Sequence, residues 1–298
     1  MSHVLTLVSS PGRPVLDEAL LAEVSAHLPS PGEPVWLAEG LAADLPFAPM
    51  GATDNRRIAD MLRMELGDLP VDLFVQATAH RRKRLFLADM DSTMIGQECI
   101  DELADFVGKK AEVAAITERT MRGELVFETS LRARVALLEG LAADVVETVI
   151  AERIKLTPGG TQLVRTMKAN GAYTALVSGG FTLFTGPIAA TIGFDENRAN
   201  TLLVANGKFT GRVTEPILGR EAKCESLVEL RARNGLVREE TMAVGDGAND
   251  LSMIQEAGLG VAFHAKPAVA AAAGARVDYG DLTALLFAQG YKREQFVG

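Results

Sequence analysis

The stretch LFLADMDSTMIGQECIDELA, Leu85 to Ala104, decides the fold. A short apolar run, Leu85 to Ala88, ends in two aspartates one residue apart, Asp89 and Asp91, followed by the hydroxyl pair Ser92 and Thr93. An uninterrupted apolar run of this kind suits a strand buried on both faces. Alternate residues on a strand project to one side, so Asp89 and Asp91 face one point if the extended geometry persists. Ligands of open α/β sheets bind outside the carboxyl ends of the strands, which is where this acidic pair stands.

Downstream, the same pattern recurs. TALVS and MAVGD each read as a strand whose end carries a polar group, Ser178 and Asp246. With Asp89, that places three groups from distant segments at one sheet edge. From about Gly96 to Arg153 every segment reads as helix. TPGGTQLVRTMKANG follows as a helix with Thr157 able to cap it and Pro158 in its first turn. Strands and helices then alternate to LGVAF, interrupted by TLLVANGKFTGRV, whose Asn206-Gly207 pair signals a hairpin. The expectation is a doubly wound, mostly parallel α/β sheet with a helical cap inserted at about 96–155.

Residues 1–80 have a different rhythm. VLTLVS, LDEALLAEVSAHL, PVWLAE, NRRIADMLRMEL and VDLFVQA read as β-α-β-α-β, a small α+β module. The basic run HRRKR, His80 to Arg84, reads as a solvated connector between this module and a second domain at 81–298.

The chain has 298 residues, of which 48% are hydrophobic and 23% charged, ample material for a soluble globular core. Its net charge of −9 disfavours partners such as nucleic acid or anionic membrane. No run approaches the ~18 apolar residues of a membrane span. The opening MSHVLTLVSSPGRP breaks at Pro11 without a basic flank, so no signal peptide is expected. Cys99 and Cys224 lack metal-ligand spacing and read as free thiols of a reducing cytoplasm, both as buried small hydrophobes.

Clustered carboxylates repel by roughly 4 kcal/mol per pair at 4 Å and an effective dielectric near 20. Something positive should therefore sit among Asp89, Asp91 and Asp246. Oxygen ligands without His or Cys favour Mg²⁺. DMD alone is equally read as a loop with helix-capping acids; GDGAND downstream favours the metal reading. SGGF before a helix offers backbone N–H groups to an anion, or is a plain turn. In FETSLRARVALL, Arg134 shares the apolar face of Phe127 and Leu131, whereas Arg132 points away. Such a guanidinium needs a carboxylate or phosphate, supplied by a ligand or by an internal ion pair. Lys223 precedes Leu227 and Leu230 on one face in the same manner, while Arg220 reads as a surface residue. Glu98 in a first turn ordinarily complements the helix dipole.

DMDSTMIGQECIDELA, SLRARVALL, VSGGF, GREAKCESL and AVGDGANDLSMIQEAGLGVAFHAKPAV together resemble the phosphoserine phosphatases of the haloacid dehalogenase-like superfamily. The likeness runs from about Arg84 to the C-terminus, and residues 1–80 look like a divergent amino-acid-binding (ACT-like) regulatory domain. The resemblance implies a cytoplasmic phosphatase that performs the last step of phosphorylated serine synthesis. By that likeness Asp89 is the nucleophile and Asp91 the general acid and base. Mg²⁺ is bound by Asp89, the Asp91 backbone carbonyl and Asp246, with Asp250 behind them. Ser178, Gly179 and Lys223 hold the phosphate. Glu98 pairs with the substrate ammonium and Arg134 with its carboxylate, and Asn249 contacts the bound molecule. Met121 and Phe127 are either lid residues or core packing. The N-terminal module is expected to serve regulation or homodimer formation. Phosphohomoserine or another small phosphomonoester is the neighbouring reading for the substrate. A receiver-type phospho-acceptor, which also clusters aspartates, is disfavoured by Asp91 and the helical cap.

Overall fold

The computed structural model describes residues 1–49, 51 and 54–298, with Met121 described in its backbone only. The first part is a four-stranded antiparallel sheet with two helices: β1 (His3–Ser9), α1 (Glu18–Ala26), β2 (Val35–Ala38), β3 (Ala42–Phe47), α2 (Asn55–Leu66) and β4 (Val71–Ala77). Spatial order is β2-β3-β1-β4, giving the β-α-β-β-α-β connectivity of ferredoxin-like units. The pattern reading lacks β3, because AADLPF breaks alternation with Asp44 and Pro46. Pairing with β2 ends at Val35 opposite Asp44, so Pro46 costs no ladder hydrogen bond on that side.

The second part begins with β5 (Leu85–Ala88). Four helices follow, α3 (Cys99–Asp105), α4 (Lys110–Met121), α5 (Phe127–Ala136) and α6 (Val145–Glu152), within the segment expected to be helical. Next come α7 (Gly160–Ala169), β6 (Tyr173–Phe181), α8 (Thr182–Ile192), β7 (Glu196–Asn200) and the hairpin β8 (Leu202–Ala205)–β9 (Lys208–Val213). Asn206 and Gly207 turn that hairpin with positive φ, as their identities predict. The chain closes with α9 (Arg220–Arg233), β10 (Thr241–Gly245), α10 (Leu251–Glu256), β11 (Leu259–Phe263), α11 (Pro267–Ala272), β12 (Ala275–Val277) and α12 (Ala284–Ala288). Helix α7 begins at Gly160, with Gly159 rather than Thr157 at its cap.

Six strands form one sheet in the order β12-β11-β10-β5-β6-β7, and every pairing in it is parallel. Strand β5 alternates across it. Leu85 and Leu87 pack with Leu227 and Leu230 of α9, whereas Phe86 and Ala88 join Leu163 of α7 and Leu286 of α12. Helices therefore cover both faces, which is why the strand reads apolar throughout.

The connector is solvated only in part. Arg81 and Lys83 turn inward while Arg82 and Arg84 stay exposed. Arg81 makes a bidentate pair with Asp44 at 2.6 and 2.7 Å and donates to the Ala288 carbonyl at 2.9 Å. Buried Lys83 donates to the Glu239 carbonyl at 2.7 Å. The face of the antiparallel sheet turned away from α1 and α2 is buried as well: Val8, Ala42 and Phe74 join the core that contains Phe287 and Val277. Asp72 of β4 accepts backbone N–H groups of Asp278, Tyr279 and Gly280. The two sheets are thus joined by apolar packing and by charged groups fixed to main-chain atoms.

Candidate active site

Because β10, β5 and β6 are neighbours, their carboxyl ends deliver Asp246, Asp89 and Ser178 side by side. Past Ala88 the chain makes a wide turn over Met90–Met94. Asp89 and Asp91 both keep extended dihedrals, and Ser92 takes φ +56°, a left-handed conformation uncommon outside glycine. That turn is tied by the Ser92 hydroxyl, which donates to Glu98 Oε1 at 2.6 Å.

Asp89, Asp246 and Asp250 are buried, and one carboxylate oxygen of each lies within 4.8 Å of the others. Lys223, 0% exposed, bridges two of them, with Nζ 2.7 Å from Asp89 Oδ1 and 2.6 Å from Asp250 Oδ1. Asp250 also accepts the Gly247 N–H at 3.0 Å, and Thr93 Oγ1 donates to Asp246 at 3.4 Å. The Asp91 carboxylate is turned away from this trio. Its Oδ1 accepts the Cys99 N–H at 3.1 Å, and its Oδ2 lies so close to Gly180 that a Cβ there would come within 2.8 Å.

Electrostatics follow from burial. Loss of water, then the charge of Asp250, pushes Asp89 up to about 7 against the pull of Lys223. Asp91 rises to about 7 and Glu98 to about 8, again through burial first. Asp246 rises well above the carboxylate range from burial and from Asp250, Glu98 and Asp89. Burial opposes the charge on Lys223, yet Asp250 and Asp89 outweigh it and raise its pKa. Three carboxylates thus face one lysine. This all-oxygen, negatively charged, buried set fits a hard divalent cation. Asn249 Oδ1, buried without a hydrogen-bond partner among the described residues, points to a missing donor in the same place.

Folded-state pKa values raised from about 4 to 7 or 8 mean that these acids favour folding most when protonated. Their contribution is complete below about pH 4 and is lost as pH rises through 7 to 8. In chelator, the melting temperature should therefore fall as pH rises from about 5 to 8 and level off above that. A divalent cation should flatten that slope. A metal-free melting temperature that rises across this range would contradict the electrostatic picture.

Above the acids lies a hollow lined by Asp89, Asp91, Glu98, Arg134, Ser178 and Asn249, with Phe127 and Leu131 as apolar wall. It is narrow, with a volume of about 20 Å³, roughly the room of one water. Phe127 lies directly on Gly179, where a Cβ would come 2.6 Å from its ring, so any larger residue there would displace that ring. The Ser178 hydroxyl accepts the Gly180 N–H at 2.8 Å and keeps its own proton for donation. SGGF continues β6 to Phe181 with a break in pairing after Val177, and Asn200 holds the Gly179 carbonyl at 2.9 Å.

Arg134 is 2% exposed and forms no ion pair among the described residues. It donates to the Ser130 carbonyl at 3.3 Å and to Thr117 Oγ1 at 2.9 Å. The internal-pair alternative for this residue is therefore not realised. Arg132 points outward to Glu215, and Arg220 lies at the surface with Nε on Ser252 Oγ at 2.6 Å. Of the thiols, Cys99 is buried, but Cys224 is only half-buried, so the expectation of two buried small hydrophobes holds for the first alone. The Met121 side chain lies outside the described residues.

All ten anticipated site residues stand in or beside this one hollow. Thr93, Thr117 and Asn200 escape the sequence reading, since each acts across a gap that no local spacing marks.

A parallel sheet with acids converging at its carboxyl edge and a helical layer above defines a hydrolase of the haloacid dehalogenase type. The family profile for haloacid dehalogenase-like hydrolases matches residues 86–255, and the chain belongs to that family. A phosphoserine phosphatase of Streptomyces coelicolor is 42% identical over 296 residues, covering 97% of this chain and 72% of that protein. Among solved structures, a HAD-family hydrolase of Salmonella enterica serovar Typhi superposes with TM-score 0.81 at 28% identity over 96% of this chain and 97% of that one. A phosphoserine phosphatase holding a phospho-aspartyl intermediate analogue gives TM-score 0.66 at 42% identity, covering 69% and 98%. Within its family, the chain belongs with the phosphoserine phosphatases. Among the described residues no helix is long and apolar enough to cross a membrane.

Proposed function

We propose that this protein hydrolyses O-phospho-L-serine to L-serine and phosphate, the last step of phosphorylated serine synthesis, with Mg²⁺ as cofactor. The observation that carries the reading is the buried guanidinium of Arg134, without an ion pair among the described residues, lining the same hollow as Glu98 and Asp89. A zwitterion needs one cation and one anion, and a phosphate ester needs a nucleophile; the hollow offers all three.

Asp89 attacks phosphorus and forms an aspartyl-phosphate, dividing one difficult displacement into two. Asp91, whose carboxyl is raised to about 7, is able to protonate the departing serine oxygen and then to take a proton from the hydrolytic water. Approach of a carboxylate to a phosphate dianion meets roughly 8 kcal/mol of repulsion at 4 Å and a dielectric near 20. Lys223, already on Asp89, offsets part of it, and Ser178 Oγ–H and the Gly179 N–H donate to phosphoryl oxygens. Asp89, the Asp91 carbonyl and Asp246 would hold Mg²⁺, with Asp250 as outer support. When bound, the ion supplies the remaining charge compensation. Glu98 receives the ammonium, Arg134 the carboxylate in a bidentate fork, and Asn249 Oδ1 a donor from the bound molecule.

The same reading takes residues 1–80 as an ACT-like regulatory module, on its connectivity, and α3–α6 as the cap of a phosphatase spanning 81–298.

Phosphate release from a panel of phosphomonoesters, with and without Mg²⁺, tests the proposal. Phosphoserine should be turned over with the highest kcat/KM, and chelator should abolish the activity. Preference for an ester without amino and carboxyl groups would overturn it.

A further inference from the structure

Arg134 approaches the hollow already aimed. Its Nη1–H donates to Thr117 Oγ1 at 2.9 Å, and Thr117 is itself 3% exposed. The Thr117 hydroxyl lies 2.8 Å from Asp101 Oδ1 and 3.0 Å from the Val113 carbonyl of its own helix. A hydroxyl has one proton, and a carboxylate is the stronger acceptor. Accepting a guanidinium N–H polarises that hydroxyl further in the same sense. The result is a directional chain from Arg134 on α5 through Thr117 on α4 to Asp101 on α3. Among the described residues Nη2 of Arg134 makes no hydrogen bond, which leaves the far edge of the fork for a ligand.

We propose that Thr117 and Asp101 are positioning residues for recognition of the substrate carboxylate. This rests on the reading of Arg134 given above. A buried guanidinium needs negative charge nearby before substrate arrives. An aspartate in direct contact would supply it but would occupy the N–H groups that the substrate carboxylate requires. The interposed hydroxyl removes that competition: Asp101 compensates the charge at one remove and the fork stays open. Asp101 also lies three residues after Glu98, on the first turn of α3. One helical turn therefore ties the ammonium partner to the carboxylate partner, which fixes the spacing of the two charges to be recognised.

The test compares O-phosphoserine with O-phosphoethanolamine, which keeps the phosphate and ammonium and lacks the carboxylate. Thr117→Val should raise KM for phosphoserine about tenfold, with kcat within about threefold, as expected for loss of one hydrogen bond to a charged group. Its kcat/KM for phosphoethanolamine should fall by less than about threefold, and Thr117→Ser should restore phosphoserine KM. Asp101→Ala, at a half-buried position, should shift phosphoserine KM in the same direction and carries the contrast if Thr117→Val does not fold. Equal losses on both substrates, or no change for phosphoserine, would overturn the relay. Failure of the underlying reading looks different: wild-type protein would then use the two esters equally well.

Discussion

Asp89→Asn is expected to reduce kcat for phosphoserine by about four orders of magnitude or more without lowering the melting temperature. The kinetic half follows from placing in the role of nucleophile the one carboxylate, among the described residues, that both lies on Lys223 and lines the hollow. An amide of the same shape fills the space but does not displace a phosphoryl group. The stability half follows from crowding. Asp89 is pushed up to about 7 by burial and by Asp250, so its charged form is a net cost to the fold at neutral pH. Lys223 keeps its second partner, Asp250, at 2.6 Å after the substitution. Phosphate release and a thermal melt in chelator measure both halves. An Asp89→Asn protein with more than about one per cent of wild-type turnover would remove Asp89 from the reaction.

Arg134→Ala is expected to lower kcat/KM for phosphoserine by about 100-fold to 1,000-fold, the loss typical when one partner of a buried charge pair is truncated. For O-phosphoethanolamine the loss should be about tenfold at most, because that ester brings no carboxylate to be met. The physical ground is the absence, among the described residues, of any carboxylate in contact with this buried guanidinium. Were Arg134 a structural ion pair, its removal would harm both esters alike. A parallel comparison of the two substrates therefore separates recognition from folding.

The core of the site was legible from residue order because its groups sit at the ends of strands that read as strands. LFLA and MAVG are apolar throughout, since helices cover both faces of their sheet, and each run ends at the acid that matters. Arg134 was legible from helical spacing alone: a cation on an apolar stripe has to meet something. The illegible parts share another physics. Strand β7, ENRAN, is polar because it lies at the sheet edge, so periodicity does not mark it. Strand β3 hides behind Pro46, harmless only because its neighbour stops short. HRRKR reads as a solvated charge run, yet Arg81 and Lys83 alternate inward to partners more than 30 and 150 residues away, Asp44 and Glu239. The relay from Arg134 to Asp101 escapes for the same reason, since each of its hydrogen bonds joins different helices.

The central claim is that Asp89 carries the phosphoryl group between substrate and water. Rapid acid quench during phosphoserine turnover, borohydride reduction and peptide mass spectrometry test it most directly. An acyl phosphate at Asp89 should be recovered as homoserine at position 89 and nowhere else. Turnover that leaves Asp89 unmodified, or that marks another carboxylate, would contradict the account.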